Sequence, residues 1–399
     1  MANMKNAADP IVIAAAKRTP LGSFQGALAG LAAPRLGALA IASVIDQANA
    51  EDVDEVFMGN VLSAGLGQNP ARQAALGAGL DNGIPATTIS KVCGSGMKAV
   101  ILGHDSILAG SNRIVIAGGM ESMSNAPYLL PKVRKGLRMG HSEMKDHMFT
   151  DGLEDAYAGR LMGTYAEDTA VAYQLSRAEQ DTYARRSVER AMFAASSGAF
   201  ANEIVAVEET TAKERVSVQA DEQPGRINPE RISQLRPAFR EGGTVTAANS
   251  SSISDGAAAL LLMRRSEAER RGMRPLATIA GHAASAREPG EFTVAPVDAV
   301  RALLAKLDWP TASVDLYEIN EAFAVVALVA IRDLGLSADC MNVNGGACAL
   351  GHPIGASGAR ILVTLVHAMK ARGAHRGIAS LCIGGGEATA IAVERIESE

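Results

Sequence analysis

Strand, glycine loop, helix, strand, glycines and a glutamate follow one another twice in this chain of 399 residues, and that repetition constrains the fold most. In the first instance a strand-like segment leads to Cys93-Gly94-Ser95-Gly96-Met97, a helical stretch, and then Ile114-Val115-Ile116-Ala117-Gly118-Gly119-Met120-Glu121. In the second, Met341-Asn342-Val343-Asn344 leads through glycines to Gly355-Ala356-Ser357-Gly358, a helical stretch, and Ala379-Ser380-Leu381-Cys382-Ile383-Gly384-Gly385-Gly386-Glu387. Matching offsets point to an internal duplication. Short apolar runs such as Ile11 to Ala14, Glu55 to Met58, Arg113 to Ala117 and Ile378 to Ile383 end at turn residues. They alternate with Ala-rich helical patterns at 98–109 and 360–371. Such alternation predicts parallel sheet covered by helices, an α/β protein.

A different texture separates the halves. From Met123 to about Arg240 the chain carries Pro, Tyr, Met and clustered charge, including the basic stretch Pro131 to Arg138. Ser176 and Glu179 are spaced as a capping box for a helix running through Tyr183 and Val188 to Phe193. Long excursions over α/β cores usually cover or build a site. The expected division is therefore 1–122, completed by about 253–275, as the first half; 123–252 as an inserted loop domain; and 276–399 as the second half. A net charge of −5, from 38 basic and 43 acidic residues, leaves no global footprint for nucleic acid. A local cationic pocket for a phosphorylated small molecule stays compatible with it. No apolar run reaches the ~18 to 20 residues that span a bilayer, and neither terminus reads as a targeting signal. The expectation is no membrane partner and a cytoplasmic location. Four cysteines (Cys93, Cys340, Cys348, Cys382) are too few and scattered for a disulfide scaffold.

Cys93 stands at a strand-to-helix turn. The positive end of the helix dipole and nearby backbone N–H groups favour thiolate there, with pKa values between ~3.5 and 7.5 on record for such sites. The alternative is a buried structural cysteine. Gly94, Gly96 and Ala99 also fit G-x-G-x-x-A, the dinucleotide fingerprint of a nicotinamide oxidoreductase, but where a carboxylate should follow about 20 residues on the next strand ends in Ala117-Gly118-Gly119, with Glu121 slightly late. His352, held between Gly351 and Pro353, is placed to present its ring to a cleft and exchange a proton with a thiol. Cys382 ends a strand ahead of three glycines, so the two thiols are expected at equivalent places of the two repeats, facing one crevice. Without a C-x-x-C pair, zinc is the weaker reading of Cys plus His, and no metal is expected. Asn320 either orients a water or oxyanion or caps the following helix. The loop Ala247 to Ser252 is able to bond a ligand's amides or hydroxyls, or is only a loop.

Taken in order, Cys93-Gly94-Ser95-Gly96, Gly118 to Ser124, Asn320-Glu321-Ala322-Phe323, Asn344-Gly345-Gly346, Gly351 to Gly355 and Cys382 to Gly386 resemble the thiolase family over nearly the whole chain. Cys-Gly-Ser-Gly and the run through Asn125-Ala126-Pro127-Tyr128 bring it nearest the biosynthetic type, the acetyl-CoA acetyltransferases. The resemblance implies a five-layered αβαβα core built from two similar halves, with a loop domain inserted in the first. It implies acetyl-CoA, acetoacetyl-CoA and CoA as ligands, no cofactor, and a homotetramer joined through the region of Lys132 to Arg138. Cys93 would carry the acetyl group with help from His352, and Cys382 would remove a proton from the second acetyl-CoA. His352 and an Asn320-held water would stabilise the enolate, and the N–H groups of Cys93 and Gly384 the tetrahedral intermediates. Ser251 would bond the pantetheine arm, Met162 line its tunnel, Phe323 sit at the acyl end and Arg226 meet the nucleotide. A degradative 3-ketoacyl-CoA thiolase of broader chain length is the near alternative. Ser90, where Asn is common, and Leu161, where His often precedes Met162, depart from the pattern near the substrate channel. Cys348 stands at a position that is usually apolar.

Overall fold

A computed structural model describes residues 9–48, 50, 52–210 and 215–396. The first half runs β1 (Ile11–Arg18), β2 (Gly22–Ser23), α1 (Ala33–Ala48), β3 (Glu55–Gly59), α2 (Pro70–Gly77), β4 (Ala86–Ile89), α3 (Ser95–Ala109) and β5 (Ile114–Ser122). A long connection follows, with β6 (Tyr128–Leu129), β7 (Lys145–Asp146), α4 (Met162–Ala172), α5 (Arg177–Ser196), β8 (Val207–Thr210) and β9 (Arg215–Val218). The chain then returns through β10 (Ser254–Arg264) and α6 (Arg265–Arg270). The second half is β11 (Ala277–Ala286), α7 (Ala295–Leu307), β12 (Leu316–Ile319), α8 (Ala324–Leu334), α9 (Ala347–Leu350), α10 (Ile354–Arg372), β13 (Arg376–Ile383) and β14 (Glu387–Arg395).

The strands lie in the order β4-β3-β5-β10-β1 in one half and β12-β13-β14-β11 in the other. The halves are joined where Val12 and Ile13 pair with Thr278 and Ala277. The sheets are mixed rather than parallel. β3, β4 and β5 run parallel, as do β12 and β13, whereas β10 and β14 return antiparallel. The physical reason is plain for β14: the three-glycine turn after β13 is far too short for the crossover that a parallel neighbour requires.

Alternation along the strands splits their side chains between cores. Ile114 and Ile116 of β5 face α1 and α2 on the outside, while Val115 and Ala117 face α3 and α10. In the other half Ala379 and Leu381 of β13 also face α10, and Ile378 faces α7 and α8. Helices, sheet, helices, sheet, helices: this is the five-layered core expected from the resemblance.

In the middle layer α3 and α10 touch almost backbone to backbone. A Cβ on Gly96 would lie 2.9 Å from the Ala359 nitrogen, and one on Gly358 would lie 2.5 Å from the Met97 nitrogen. Glycine is therefore required at this crossing, and it draws the loops ahead of both helices together.

Strand order makes β3, β5, β10 and β1 the counterparts of β12, β13, β14 and β11, and α3 the counterpart of α10. This corrects the sequence matching. Gly118 to Glu121 lie inside β5, but Gly384 to Gly386 lie in a turn beyond β13. Cys93 and Cys382 are thus not equivalent; the counterpart of the Cys93 turn is the His352 loop. Residues 123–253 leave from β5 and return to its antiparallel neighbour β10. α5 starts at the expected capping box of Ser176 and Glu179. Tyr165, Ala166 and Ala170 of α4 and Tyr183 of α5 enter the core of α7 and α8, so the excursion packs on the second half.

Candidate active site

The Cys93 turn, the His352 loop and the β13–β14 glycine turn all contribute to the wall of a cavity of about 460 Å³. Cys93, His352, Cys382 and Gly384 all line it, as do Ser251, Met162 and Phe323. Its wall is largely apolar, with Phe149, Leu153, Leu161, Phe239 and Phe292 among the lining side chains. Phe323 packs edge-on against Phe239 at 5.9 Å and Phe292 at 6.3 Å between ring centroids.

Val92 precedes the half-buried Cys93 with φ of 46°, a conformation costly for a β-branched residue. Ser95 holds this turn: its hydroxyl donates to the Val92 carbonyl (2.6 Å) and accepts from the Lys91 N–H (2.8 Å). Lys91 also pairs with Glu387, tying the Cys93 turn to the start of β14. The backbone N–H groups of Gly384 and of Cys93 itself favour the charged sulfur, yet burial outweighs them and pushes the thiol up to about 11. The thiolate expected from a helix N-terminus is therefore not the resting form. Desolvation disfavours charge by more than a few N–H dipoles return. Burial, with Cys93 alongside, likewise raises Cys382 well above the ordinary thiol range.

The His352 ring is buried, and burial, helped by the positive Arg360, pulls it down to about 3. Nδ1 lies 2.5 Å from the Ser357 hydroxyl, which donates its own proton to the Pro353 carbonyl at 2.9 Å. We assign the proton to Nδ1 on this network, leaving the Nε2 lone pair as acceptor. The resting pair is a neutral thiol and a neutral imidazole. Its pH signature follows in sign: ionisation of a thiol raised to about 11 keeps growing through neutrality. Second-order alkylation of Cys93 by iodoacetamide should keep rising above pH 9, read by peptide mass; a plateau below pH 8 would contradict a raised pKa.

Asn320 is buried behind His352, its Nδ2 3.4 Å from Nε2, and is not itself among the lining residues. Ser251 hangs from the Ala322 carbonyl through its N–H (3.0 Å) and hydroxyl (3.1 Å). Of the loop before it, Asn249 is structural, bonding Asp181, Thr244 and Thr246, while Ala247 and Ser250 to Ser252 reach the cavity. Arg226 is exposed, paired with Glu222 at 2.5 Å, and does not line the cavity. Cys348 is buried against Glu321, away from the lining residues.

Glu121, inside β5, is a supporting residue to which sequence reasoning gave no role in the site. It accepts from the N–H groups of Val61, Leu62 and Gly355 and from the Asn60 amide, so one carboxyl bridges β3's exit and the start of α10. Burial still pushes it up to about 7. The G-x-G-x-x-A reading fails on contact: the Gly96 face that would meet a pyrophosphate is covered by Ala359 and Gly355 of α10. Among the described residues, one group has metal-ligand spacing, His104, Asp105 and His282, outside the cavity. Asp105 Oδ1 already bonds both rings there, at 3.1 and 2.9 Å.

Comparison with known proteins gives one consistent result. The thiolase N-terminal domain model matches residues 11–266 and the thiolase C-terminal domain model residues 273–395. An acetyl-CoA acetyltransferase of Pseudomonas aeruginosa is 49% identical over 389 residues, covering 96% of this chain and 99% of that protein. The cytosolic acetyl-CoA acetyltransferase of Mus musculus is 46% identical over 397 residues, covering 98% and 100%. Among solved structures, an acetyl-CoA acetyltransferase of Bacillus anthracis superposes with a TM-score of 0.95 at 39% identity, covering 97% of this chain and 99% of that one. A thiolase of Ascaris suum in complex with coenzyme A superposes at 0.92 and 41% identity, covering 97% and 100%.

Proposed function

This chain belongs to the thiolase family, and on that premise we propose that it is an acetyl-CoA acetyltransferase, condensing two acetyl-CoA to acetoacetyl-CoA and CoA through an acetyl-cysteine. The carrying observation is that two thiols, a neutral imidazole and Gly384 line one largely apolar cavity. His352 Nε2 takes the Cys93 proton as the sulfur attacks the thioester carbon of the first acetyl-CoA. The oxyanion rests on the N–H groups of Cys93 and Gly384, each donor typically worth about 3 to 4 kcal/mol. CoA leaves with the proton of Cys382. That leaves a Cys382 thiolate which, because burial raises its pKa, is a strong base, suited to the weakly acidic methyl group of the second acetyl-CoA. The enolate forms against the protonated His352 and a water held by Asn320, then attacks the acetyl carbon. Cys93 departs and recovers its proton from His352, so every group returns to its starting state.

Ser251 and Met162 line the path of the pantetheine arm and Phe323 its acyl end. Arg226 is not assigned a nucleotide contact, because its guanidinium is engaged by Glu222. No bound cofactor or metal takes part in these steps. The reaction needs reduced thiols; all four cysteines are free, and among the described residues no helix is long and apolar enough to cross a membrane. The need for reduced thiols favours a cytoplasmic setting. The arm around Lys132 to Arg138 exposes Leu130, Val133, Leu137 and Met139 beside its basic side chains. That surface supports the homotetramer, which a solution mass of four chains would verify. Substrate range is tested by thiolysis kinetics with acetoacetyl-CoA against longer 3-ketoacyl-CoAs. The expected kcat/KM favours acetoacetyl-CoA, and a strong preference for long chains would assign the degradative reaction instead.

A further inference from the structure

We propose that Arg360 is a positioning residue of this reaction: its buried guanidinium holds the Asn320 amide with the NH2 turned toward His352 and the reacting end of the cavity. The inference rests on the thiolase reading above and adds a residue to it. Arg360 lies on α10, just ahead of the apolar run Ile361-Leu362-Val363, and is fully buried. Its Nη2 donates to Asn320 Oδ1 at 3.3 Å. A guanidinium only donates, so the amide facing it must present oxygen. The NH2 is thereby sent to the other side, where it stands 3.4 Å from His352 Nε2.

Folding alone gives little reason for this arginine. Its Nε and Nη1 have no hydrogen-bond partner among the described residues, and neither does Oε1 of the buried Glu318 nearby. Burying a charge so incompletely paired is costly, and an apolar side chain of similar size would serve the core better. The charges around it are Glu318, Glu321, Glu203 and Arg18, so acidic groups outnumber the one other cation. What Arg360 does reach is the catalytic edge. It orients Asn320, and its charge is the second cause, after burial, that holds His352 neutral and able to accept a proton. A flipped amide would set its carbonyl oxygen against the Nε2 lone pair of His352, two acceptors facing one another.

The test is steady-state thiolysis of acetoacetyl-CoA across pH by five proteins besides the wild type: Glu318→Gln, Glu318→Gln/Arg360→Met, Arg360→Lys, Asn320→Ala and Asn320→Ala/Arg360→Met. The paired change removes Arg360 together with the buried carboxyl beside it, which burial pushes up to about 8, so no acid is left facing an apolar side chain. Glu318→Gln alone should stay near wild type. Adding Arg360→Met should lower kcat by about 10- to 100-fold, with KM changed less than about 2-fold. Arg360→Lys should recover part of the loss. Placed in the Asn320→Ala background, Arg360→Met should cost less than about 3-fold, because the two changes remove one interaction. Full additivity there, a loss confined to KM, or wild-type kcat in Glu318→Gln/Arg360→Met would overturn the proposal. The wild type judges the thiolase reading separately: failure of that protein to cleave acetoacetyl-CoA sinks the reading itself, whatever the variants do.

Discussion

Replacing Cys93 with alanine is expected to remove the acetyl mark from the protein and lower turnover of acetyl-CoA by about 10⁴-fold or more. Intact protein incubated briefly with acetyl-CoA, quenched and digested should carry one acetyl group on the Cys93 peptide; the variant should carry none. The size follows from the mechanism: without the sulfur no covalent intermediate divides the reaction, and neither His352 nor Cys382 supplies a substitute. The fold should survive, since the side chain is small and half-buried and the turn is held by Ser95 and by Lys91 with Glu387. Acetylation persisting at another residue would displace Cys93 from its role.

Cys382→Ser separates the two sulfurs. Acetylation of Cys93 should persist within about 10-fold, because a CoA thiolate leaves without much help, while condensation should fall by about 10² to 10⁴-fold. A serine hydroxyl is too weak an acid to be left as the base that removes the methyl proton. Quenched acetylation measured beside acetoacetyl-CoA formation in a single turnover gives both numbers from one sample. Equal loss of the two steps would show that Cys382 serves acylation as much as enolisation, and the division of labour would be wrong.

The residues legible from sequence were those displayed in glycine-bounded loops. Cys93, His352 and Cys382 stand where strands or turns end, and the cavity gathers all three. Three things escaped. Ser357 and Arg360 lie within α10, where polar residues scattered along a helix carry no signal of their own, and their value appears only once His352 and Asn320 are seen beside them. The acidity of Cys93 was misjudged because proximity to a helix start is visible in sequence whereas desolvation is not. The presumed equivalence of the two thiols failed because glycines inside β5 and glycines in the β13–β14 turn look alike in one dimension.

The reacting groups come from the duplicated halves, while Phe149, Leu153, Leu161 and Phe239 come from the stretch between β5 and β10. Selection can therefore reshape which acyl chains are admitted without revisiting how carbon–carbon bonds are made. A lineage of such proteins is free to diversify its menu through one excursion of the backbone, and an engineer wanting a new product has the same short list of places to begin.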